Sequence, residues 1–537
     1  MAVAQAGAFI HCHSSLSQYR ELYRRERDNL LQNEESQGQD PYELAVYSTW
    51  RLSYDKLDPP ARLLLQVCSF LHHEGISEEM FEKAALSQLQ LGDSELQDEV
   101  THLLNQLGKC DSGWSSWTFQ KVIMRLGSHS LIEYDHQNCT YSIHPLVHHW
   151  GGTTVEHNRH DMQRVVLTII ALSFTLELTD EDHKYRRKLW KHTTNSIASL
   201  ESGDINPLVG AHMAQIYYEN GRWKDAEALE VMVMEKRRRV LGDDHPDTLT
   251  SMEYLSNTYW EQGRWNDAAA LDVVVMEKRM RMLGDAHADT LESMGNLANT
   301  YSEQGRWKEA EALQLVVMEK RKRVLGDDDP DTLQIMGDLA DTFREQGRLN
   351  DAEALEFVVV EKKTRLLGED HPRTLIAMGH LASTYREQGR LDDAKALELV
   401  VMEKRKRLLG DDHPHTLRTM SNLATTYWKQ GCWKDAEMLQ LVTMEKTKQV
   451  LRDNHPYTLK NMANLANTYR DQGRLKDAEA LSVEVIEKMK QVNGNDHPHT
   501  LMAMKNLAVT YRTLGRLGDA EALEAVEEGI RKRRDDS

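Results

Sequence analysis

The chain has 537 residues, 40% hydrophobic and 28% charged, which is the balance of a soluble globular protein with room for two or three domains. Lys plus Arg number 66 against 85 Asp plus Glu, so the net charge of −19 argues against a nucleic-acid partner, whose phosphates need a basic surface. The longest apolar run, Val165 to Leu176, is about a dozen residues and contains Thr168, Ser173 and Thr175, so a buried helix is expected and no membrane span. Met1 to Ile10 lacks a basic stretch followed by an apolar core, so no secretory signal is expected. Cys12, Cys68, Cys110, Cys139 and Cys432 follow no pairing pattern, which predicts reduced thiols in a cytosolic or nuclear protein, the cytoplasmic location being the one expected. His11-Cys12-His13 cannot close a tetrahedral site from three successive residues, and no metal is expected.

In chain order, Tyr19 to Gln32 reads as an amphipathic charged helix and Asn33 to Asp40 as a polar linker, giving an N-terminal segment 1–40. Leu52-Ser53-Tyr54 and Leu57-Asp58-Pro59-Pro60 lead into a helix from Ala61 to Leu71. Ile76-Ser77-Glu78-Glu79 reads as a turn and helix start, with the helix running toward Ala85. Phe119 to Leu126 is helical in pattern. Leu131–Tyr134 and Thr140–Ile143 alternate around Asp135-His136-Gln137-Asn138, a hairpin signal. A short helix from Pro145 to Trp150 follows. Helices closed by a small hairpin describe a winged-helix-like module over 41–152, with a helical adaptor over 153–206.

Three phrases within Leu44–Trp150 carry a resemblance: Leu52-Ser53-Tyr54-Asp55-Lys56-Leu57, Cys68-Ser69-Phe70-Leu71 and Tyr141-Ser142-Ile143-His144-Pro145-Leu146-Val147. Together they resemble the part of NB-ARC and related STAND ATPases that follows the nucleotide-binding core. A Met-His-Asp motif stands in that family where Ile143-His144-Pro145 stands here, and its histidine touches nucleotide phosphates. Only the histidine is kept, which makes His144 a nucleotide-contact relic or a packing residue. No Gly-x-x-x-x-Gly-Lys-Ser/Thr occurs in the chain. Gly108-Lys109-Cys110 lacks both the first glycine and the final hydroxyl. The expectation is the C-terminal half of a STAND protein without its ATPase core, with no nucleotide and no other cofactor for this chain alone.

From residue 207 the sequence becomes periodic. Gly221, Gly263, Gly305, Gly347, Gly389, Gly431, Gly473 and Gly515 fall 42 residues apart, and Thr-Leu recurs from Thr248-Leu249 to Thr500-Leu501 in the same register. A fixed period over some 300 residues means a stacked array of one supersecondary unit. In the copy Asp289–Gly326, Leu291, Met294, Leu297, Ala298 and Tyr301 form one helical face. Gly305 ends that helix, and a second runs through Trp307, Ala310, Leu313 and Val317 to Gly326. Asp329-Pro330 suits the next helix start. Alanine recurs at Ala298, Ala340, Ala382, Ala424, Ala466 and Ala508, with Ser256 in the first full copy, and also at Ala226, Ala268, Ala310, Ala352, Ala394, Ala436, Ala478 and Ala520. Small residues at both places predict close antiparallel packing of the two helices.

Leu297-Ala298, Tyr301, Gly305, Ala310 and Leu313 match the tetratricopeptide (TPR) pattern. The 42-residue spacing with a Leu-Gly-Asp-x-His-Pro connector is similar to the kinesin-light-chain variety. The resemblance covers 207–537 and implies an all-α fold, a right-handed TPR superhelix of about eight repeats, apart from the small wing. Fungal STAND receptors commonly end in such an array. By the same resemblance, first-helix positions line a concave groove for protein or peptide partners. Those positions include Asn257, Asn296, Asn299, Asn422, Asn464, Asn467 and Asn506, beside Arg344, Arg386, Arg470 and Arg512. Asparagine can pair with a peptide backbone and arginine with a carboxylate. The alternative is bonding between adjacent repeats, especially to Glu345 or Glu387.

The connector histidines, His245, His287, His371, His413, His455 and His497, are expected to cap or bond within their loops. The methionines Met252, Met294, Met336, Met378, Met420, Met462 and Met504 are expected in the core. No Ser-His-Asp, Cys-His or paired-carboxylate constellation stands apart from the repeat, so the expected role is non-catalytic: a recognition scaffold or sensor. The alternatives are a kinesin-light-chain-like cargo adaptor, for which no heptad region precedes the repeats, or a nucleotide-regulated ATPase if the core is supplied upstream.

Overall fold

The computed structural model describes residues 50–154, 159–176, 180–197, 205–451, 453–492, 494–495 and 497–535. The helix expected at Tyr19–Gln32 and the linker to Asp40 lie outside the described residues. The chain divides into two compact units, Met1–Glu219 with Ala228–Lys236, and Asn220–Glu227 with Arg237–Ser537.

In the first unit, Asp58 caps helix Pro59–Cys68 by accepting the Ala61 N–H at 3.3 Å, and the two prolines occupy a first turn that needs no donors. The helix buries Ala61, Leu64, Leu65, Val67 and Cys68 and stops short of Leu71. Burial pushes the Cys68 thiol up to about 12, which keeps it protonated and inert. Helix Glu78–Leu86 follows. Helix Ser94–Leu107, capped by Asp93, and the hairpin Lys109–Cys110/Gly113–Trp114 were not anticipated by the sequence reading. Helix Ser116–Ser128 precedes the expected hairpin, in which Glu133–Asp135 pairs antiparallel with Thr140–Ser142. Ile76 adds to that hairpin, donating to the Tyr141 carbonyl at 3.1 Å and accepting from its N–H at 2.7 Å. Helix Pro145–Thr153 returns to the core, where Trp150 sits 5.7 Å from both Trp50 and Tyr54.

Helix Arg159–Leu172 buries every residue from Val165 to Leu172. Among the described residues no helix is long and apolar enough to cross a membrane. Helix Asp180–Ile197 is tied to the loop after Cys68: Asn195 Nδ2 and Ser196 Oγ donate to the Phe70 carbonyl at 3.0 and 2.8 Å. Arg186 donates to the Glu219 carboxylate at 2.9 Å, both side chains being almost wholly buried. The segments expected as a module (41–152) and an adaptor (153–206) therefore lie in one compact unit.

The second unit is the helix array. Its first helices run Pro246–Glu261, Ala288–Glu303, Pro330–Glu345, Pro372–Glu387, Pro414–Lys429, Pro456–Asp471 and Pro498–Thr513. Each is followed by a second helix, from Trp265–Leu283 to Leu517–Asp535. Together with Pro207–Glu219 and Trp223–Leu241, which divide between the two units, these make eight pairs.

Proline at the first helical position has no N–H, so the first donor needing a partner belongs to the next residue. The connector histidine supplies the acceptor: Nδ1 of His245, His371, His413, His455 and His497 takes that N–H at 3.1–3.2 Å, and His287 does the same before Ala288. Asp329 fills the role in the repeat that lacks histidine, at 2.8 Å. The eight second-helix alanines have no exposed surface, and those of the first helices have at most 3%. Six of the seven stripe methionines are buried and Met378 is half-buried. Core clusters cross repeat boundaries: Leu291, Met294 and Val317 pack with Ile335 of the next repeat.

The recurrent Gly-Arg phrase also has a tertiary role. Arg264, Arg348, Arg390, Arg474 and Arg516 each reach back to a glutamate one repeat earlier, namely Glu227, Glu311, Glu353, Glu437 and Glu479, at 2.5–2.9 Å. Each guanidinium also lies over its own repeat's aromatic ring at 4.0–4.4 Å. These partly exposed pairs contribute only about 0–1 kcal/mol each, but they recur along the array.

The array also returns on itself. His497 Nε2 donates to the Glu261 carbonyl at 3.1 Å, and its ring stacks on Trp223. Gly263 lies against Pro498, and Gly221 lies against Pro456 at the same offset. A Cβ on Gly263 would fall 2.4 Å from Pro498 Cδ, whereas one on Gly305 would meet nothing within 4 Å, although both have φ near +75°. Gly305→Ala is therefore expected to cost about 1 kcal/mol through its positive φ alone. Gly263→Ala should cost more and speed hydrogen exchange around residues 497–501. Equal losses in the two variants, with no change in exchange at 497–501, would show that the return contact contributes nothing.

Candidate functional site: the first-helix groove

The strict period places equivalent first-helix residues in columns. One column reads Tyr254, Asn296, Asp338, His380, Asn422, Asn464 and Asn506. Asn422, Asn464 and Asn506 are half-buried, and among the described residues their side-chain amides have no hydrogen-bond partner. Asn296 is engaged, with Nδ2 donating to Glu253 Oε1 at 2.9 Å. Asn257 and Asn299 are exposed, and Asn467 accepts from Arg470 Nη1 at 3.1 Å.

All four candidate arginines have internal acidic partners. Arg344, 14% exposed, pairs with Asp341 at 2.7 Å, Glu356 at 3.4 Å and Glu387 at 3.5 Å. Arg386 donates to Glu398 at 2.6 Å. Arg470 pairs with Asp471 at 3.0 Å, and Arg512 with Glu524 at 2.7 Å. Of the two glutamates singled out as internal partners, Glu387 meets Arg344; the other partners come largely from second helices.

Charge on the first helices is divided along the array. Glu253, Glu292, Glu303, Asp338 and Glu345 lie in the earlier repeats, and Arg418, Lys460 and Lys505 in the later ones. Burial, then neighbouring Glu345, raises the Glu303 pKa, and Lys460 counteracts that rise. Burial and Arg418 lower the Lys460 pKa, which Glu303 counteracts.

A polar seam missed in the sequence runs between second helices and the next first helices. Its column is Asp272, Gln314, Glu356, Glu398 and Gln440, each buried. Asp272 accepts from Ser256 Oγ at 2.5 Å and Thr300 Oγ1 at 2.7 Å, while Glu398 accepts from Thr426 Oγ1 at 2.6 Å. The available signal was a polar residue recurring every 42 positions within an otherwise alanine- and valine-lined face. His144 lies in the first unit, is exposed, and caps Pro145–Thr153, its Nδ1 accepting the Leu146 N–H at 3.2 Å. Among the described residues no three His, Cys, Asp or Glu side chains come together as metal ligands.

Tetratricopeptide-repeat family models match residues 290–331, 332–373 and 374–415, and also 207–272, 421–491 and 457–526. The chain belongs to the tetratricopeptide-repeat family. Residues 52–159 match a domain of unknown function, DUF7779. Among solved structures, a kinesin-light-chain-type protein of Podosopora anserina with nearly identical TPR-like repeats is 26% identical, covering 39% of this chain and 99% of its own, with a TM-score of 0.33. A STAND protein with a tetratricopeptide-repeat sensor from Pyrococcus horikoshii is 14% identical, covering 99% of this chain and 74% of its own, with a TM-score of 0.42. The quorum sensor NprR from B. thuringiensis is 14% identical, covering 64% and 92%, with a TM-score of 0.44. With scores below 0.5, none of these likenesses bears on function. A search of the curated proteins finds no match.

The seam gives this TPR protein a titratable joint. Burial raises the Glu356 pKa from an ordinary 4.5 to about 7, against the opposing effects of Thr384 and Arg344. A carboxyl whose folded pKa lies above its unfolded value favours the folded array at low pH and loses that contribution as pH rises from about 4.5 through about 7. The array already uses glutamine at the equivalent Gln314 and Gln440. Glu356→Gln should therefore be more stable than wild type at pH 8, by up to about 3 kcal/mol, with the gap closing toward pH 4.5. Parallel denaturation curves at pH 4.5, 6 and 8 test this, and a pH-independent gap would refute it.

Proposed function

We propose that the array is a non-catalytic recognition scaffold whose first-helix groove binds an extended peptide segment of a protein partner. Tetratricopeptide repeats are protein-interaction scaffolds, and the observation that carries the finer reading is the set of unbonded amides at Asn422, Asn464 and Asn506. They recur at 42-residue steps, half-buried, in one column. Each offers a donor and an acceptor, the pair a peptide backbone requires. Apart from the exposed Arg512, the arginines beside them are largely occupied with their own carboxylates, so in this reading they position the groove walls.

The first unit is proposed to be a winged-helix-like module of NB-ARC/STAND type with a helical adaptor. The order of helix Pro59–Cys68, the Ile76 bridge, helix Ser116–Ser128 and the 133–142 hairpin supports it. The chain then acts as the sensing half of a cytoplasmic STAND-type receptor. Without a phosphate-loop sequence and with the His144 ring used as a cap, no nucleotide is assigned to it.

Replacing Asn422, Asn464 and Asn506 together by alanine removes several hydrogen bonds worth about 0.5–1.5 kcal/mol each. Partner affinity should fall roughly tenfold to a thousandfold with the circular dichroism spectrum unchanged. Affinity capture from native lysate with wild type and triple variant compares the partner sets. A folded variant that keeps every partner would place binding elsewhere. An unfolded variant would mean the amides hold the repeats together.

A further inference from the structure

Arg279 and Arg405 occupy the same place in the repeat, three repeats apart. Arg279 Nη1 donates to the Asp289 carbonyl at 3.3 Å and to Ser293 Oγ at 2.7 Å. Its Nη1 and Nη2 also hold the two oxygens of Glu253 at 3.2 and 2.9 Å, and Asn296 Nδ2 donates to the same carboxylate. This is a complete carboxylate site, with a two-point guanidinium contact and an amide, filled by the chain itself.

Arg405 keeps the first half of that arrangement. Its Nη1 donates to the His415 carbonyl at 3.1 Å and to Thr419 Oγ1 at 2.6 Å. Asn422 stands in the place of Asn296. The residue in the place of Glu253 is Gly379, and nothing lies within 4 Å of where its Cβ would be. A pocket of about 190 Å³ opens there, lined by Gly379, Arg405, Thr419, Asn422 and Arg418, the last replacing Glu292.

Among the described residues neither Arg405 nor Arg418 has a carboxylate within ion-pair distance. Asp341 and Glu398 reach the same pocket but are already held, Asp341 by Arg344 and by His380 at 3.2 Å, Glu398 by Arg386 and Thr426. Arg405 is 6% exposed, and burial with the adjacent Arg418 draws its pKa down to about 10. A buried cation without a counter-charge is costly, and an incoming carboxylate relieves that cost.

We propose that this pocket is a carboxylate subsite of the groove, where a glutamate or aspartate side chain of the bound peptide takes the place that Glu253 fills three repeats earlier. The proposal rests on the groove reading above and adds the chemistry of one ligand residue.

The chain supplies its own test. Gly379→Glu should rebuild the Glu253 arrangement, so it should melt above the isosteric Gly379→Gln. N-acetylated, C-amidated hexaglutamate at low ionic strength should bind wild type, and at least tenfold more weakly the Gly379→Glu and Arg405→Met variants. Hexaglutamine with a free C-terminus separates a side-chain from a terminal carboxylate. If it binds and amidated hexaglutamate does not, the side-chain assignment is wrong. A Glu variant melting no higher than the Gln variant, hexaglutamate failing to bind wild type, or hexaglutamate affinity unchanged in the variants would overturn the subsite. Asn464 and Asn506 lie outside the pocket, so a Gly379→Glu variant retaining all wild-type partners removes the subsite while leaving the groove reading to its own triple-variant test.

Discussion

Close contact between two helices through alanine is the constraint on which the array depends. No surface is exposed at the second-helix column and almost none at the first, so both alanine columns lie inside the packed array. A larger side chain at either place would part the helices and change the angle at which the next pair stacks. Because one pair cannot bury its apolar face alone, each core is completed by a neighbour, as Ile335 completes the cluster of Leu291, Met294 and Val317. The strict 42-residue period follows from this. An insertion within a helix would shift the residues that follow it in that helix out of their columns.

A scaffold this regular makes its exceptions informative. Capping histidines, turn glycines and core methionines repeat because each pair needs them, and they say little about ligands. The groove columns do not repeat in the same way. Glu253 becomes glycine at Gly295, Gly337 and Gly379, Glu292 becomes arginine at Arg418, and the seam carries an acid in some copies and an amide in others. Where an acid persists in the seam it is buried and its pKa is raised by that burial, to about 7 at Glu356. Where it disappears from the groove it leaves a cation without a carboxylate, as at Arg405. The repeat thus serves as its own reference state, showing at one copy which interaction another lacks.

Much of this was legible in the chain. Helix pairs, their glycine stops, the histidine connectors, the alanine contacts and the 133–142 hairpin are local or periodic, and a periodic signal survives noise in any one copy. Helix Ser94–Leu107 was missed because its five buried residues are diluted among polar ones and it occurs once, without a repeat to reinforce it. Helix Pro59–Cys68 ends before Leu71 because its last turn tightens, with the Phe70 N–H bonding the Val67 carbonyl three residues back, and the Phe70 and Leu71 carbonyls are then taken by Asn195, Ser196 and His148. Nothing in the local sequence announces partners more than a hundred residues away for Asn195 and Ser196.

By itself the sequence determined the class of unit, its length, its turns and caps, and the column to which each side chain belongs. These depend on interactions within a few residues or on a period that can be counted. Only the tertiary structure decided which members of a column are satisfied. Arg344 and Arg386 look as available as Asn422 in the sequence, yet they are held by Glu356 and Glu398 from neighbouring second helices, whereas Asn422 and Arg405 face a space left by glycine. The difference arises because ion pairing depends on distances of a few ångströms between side chains on different helices, and those distances are set by how the helices pack.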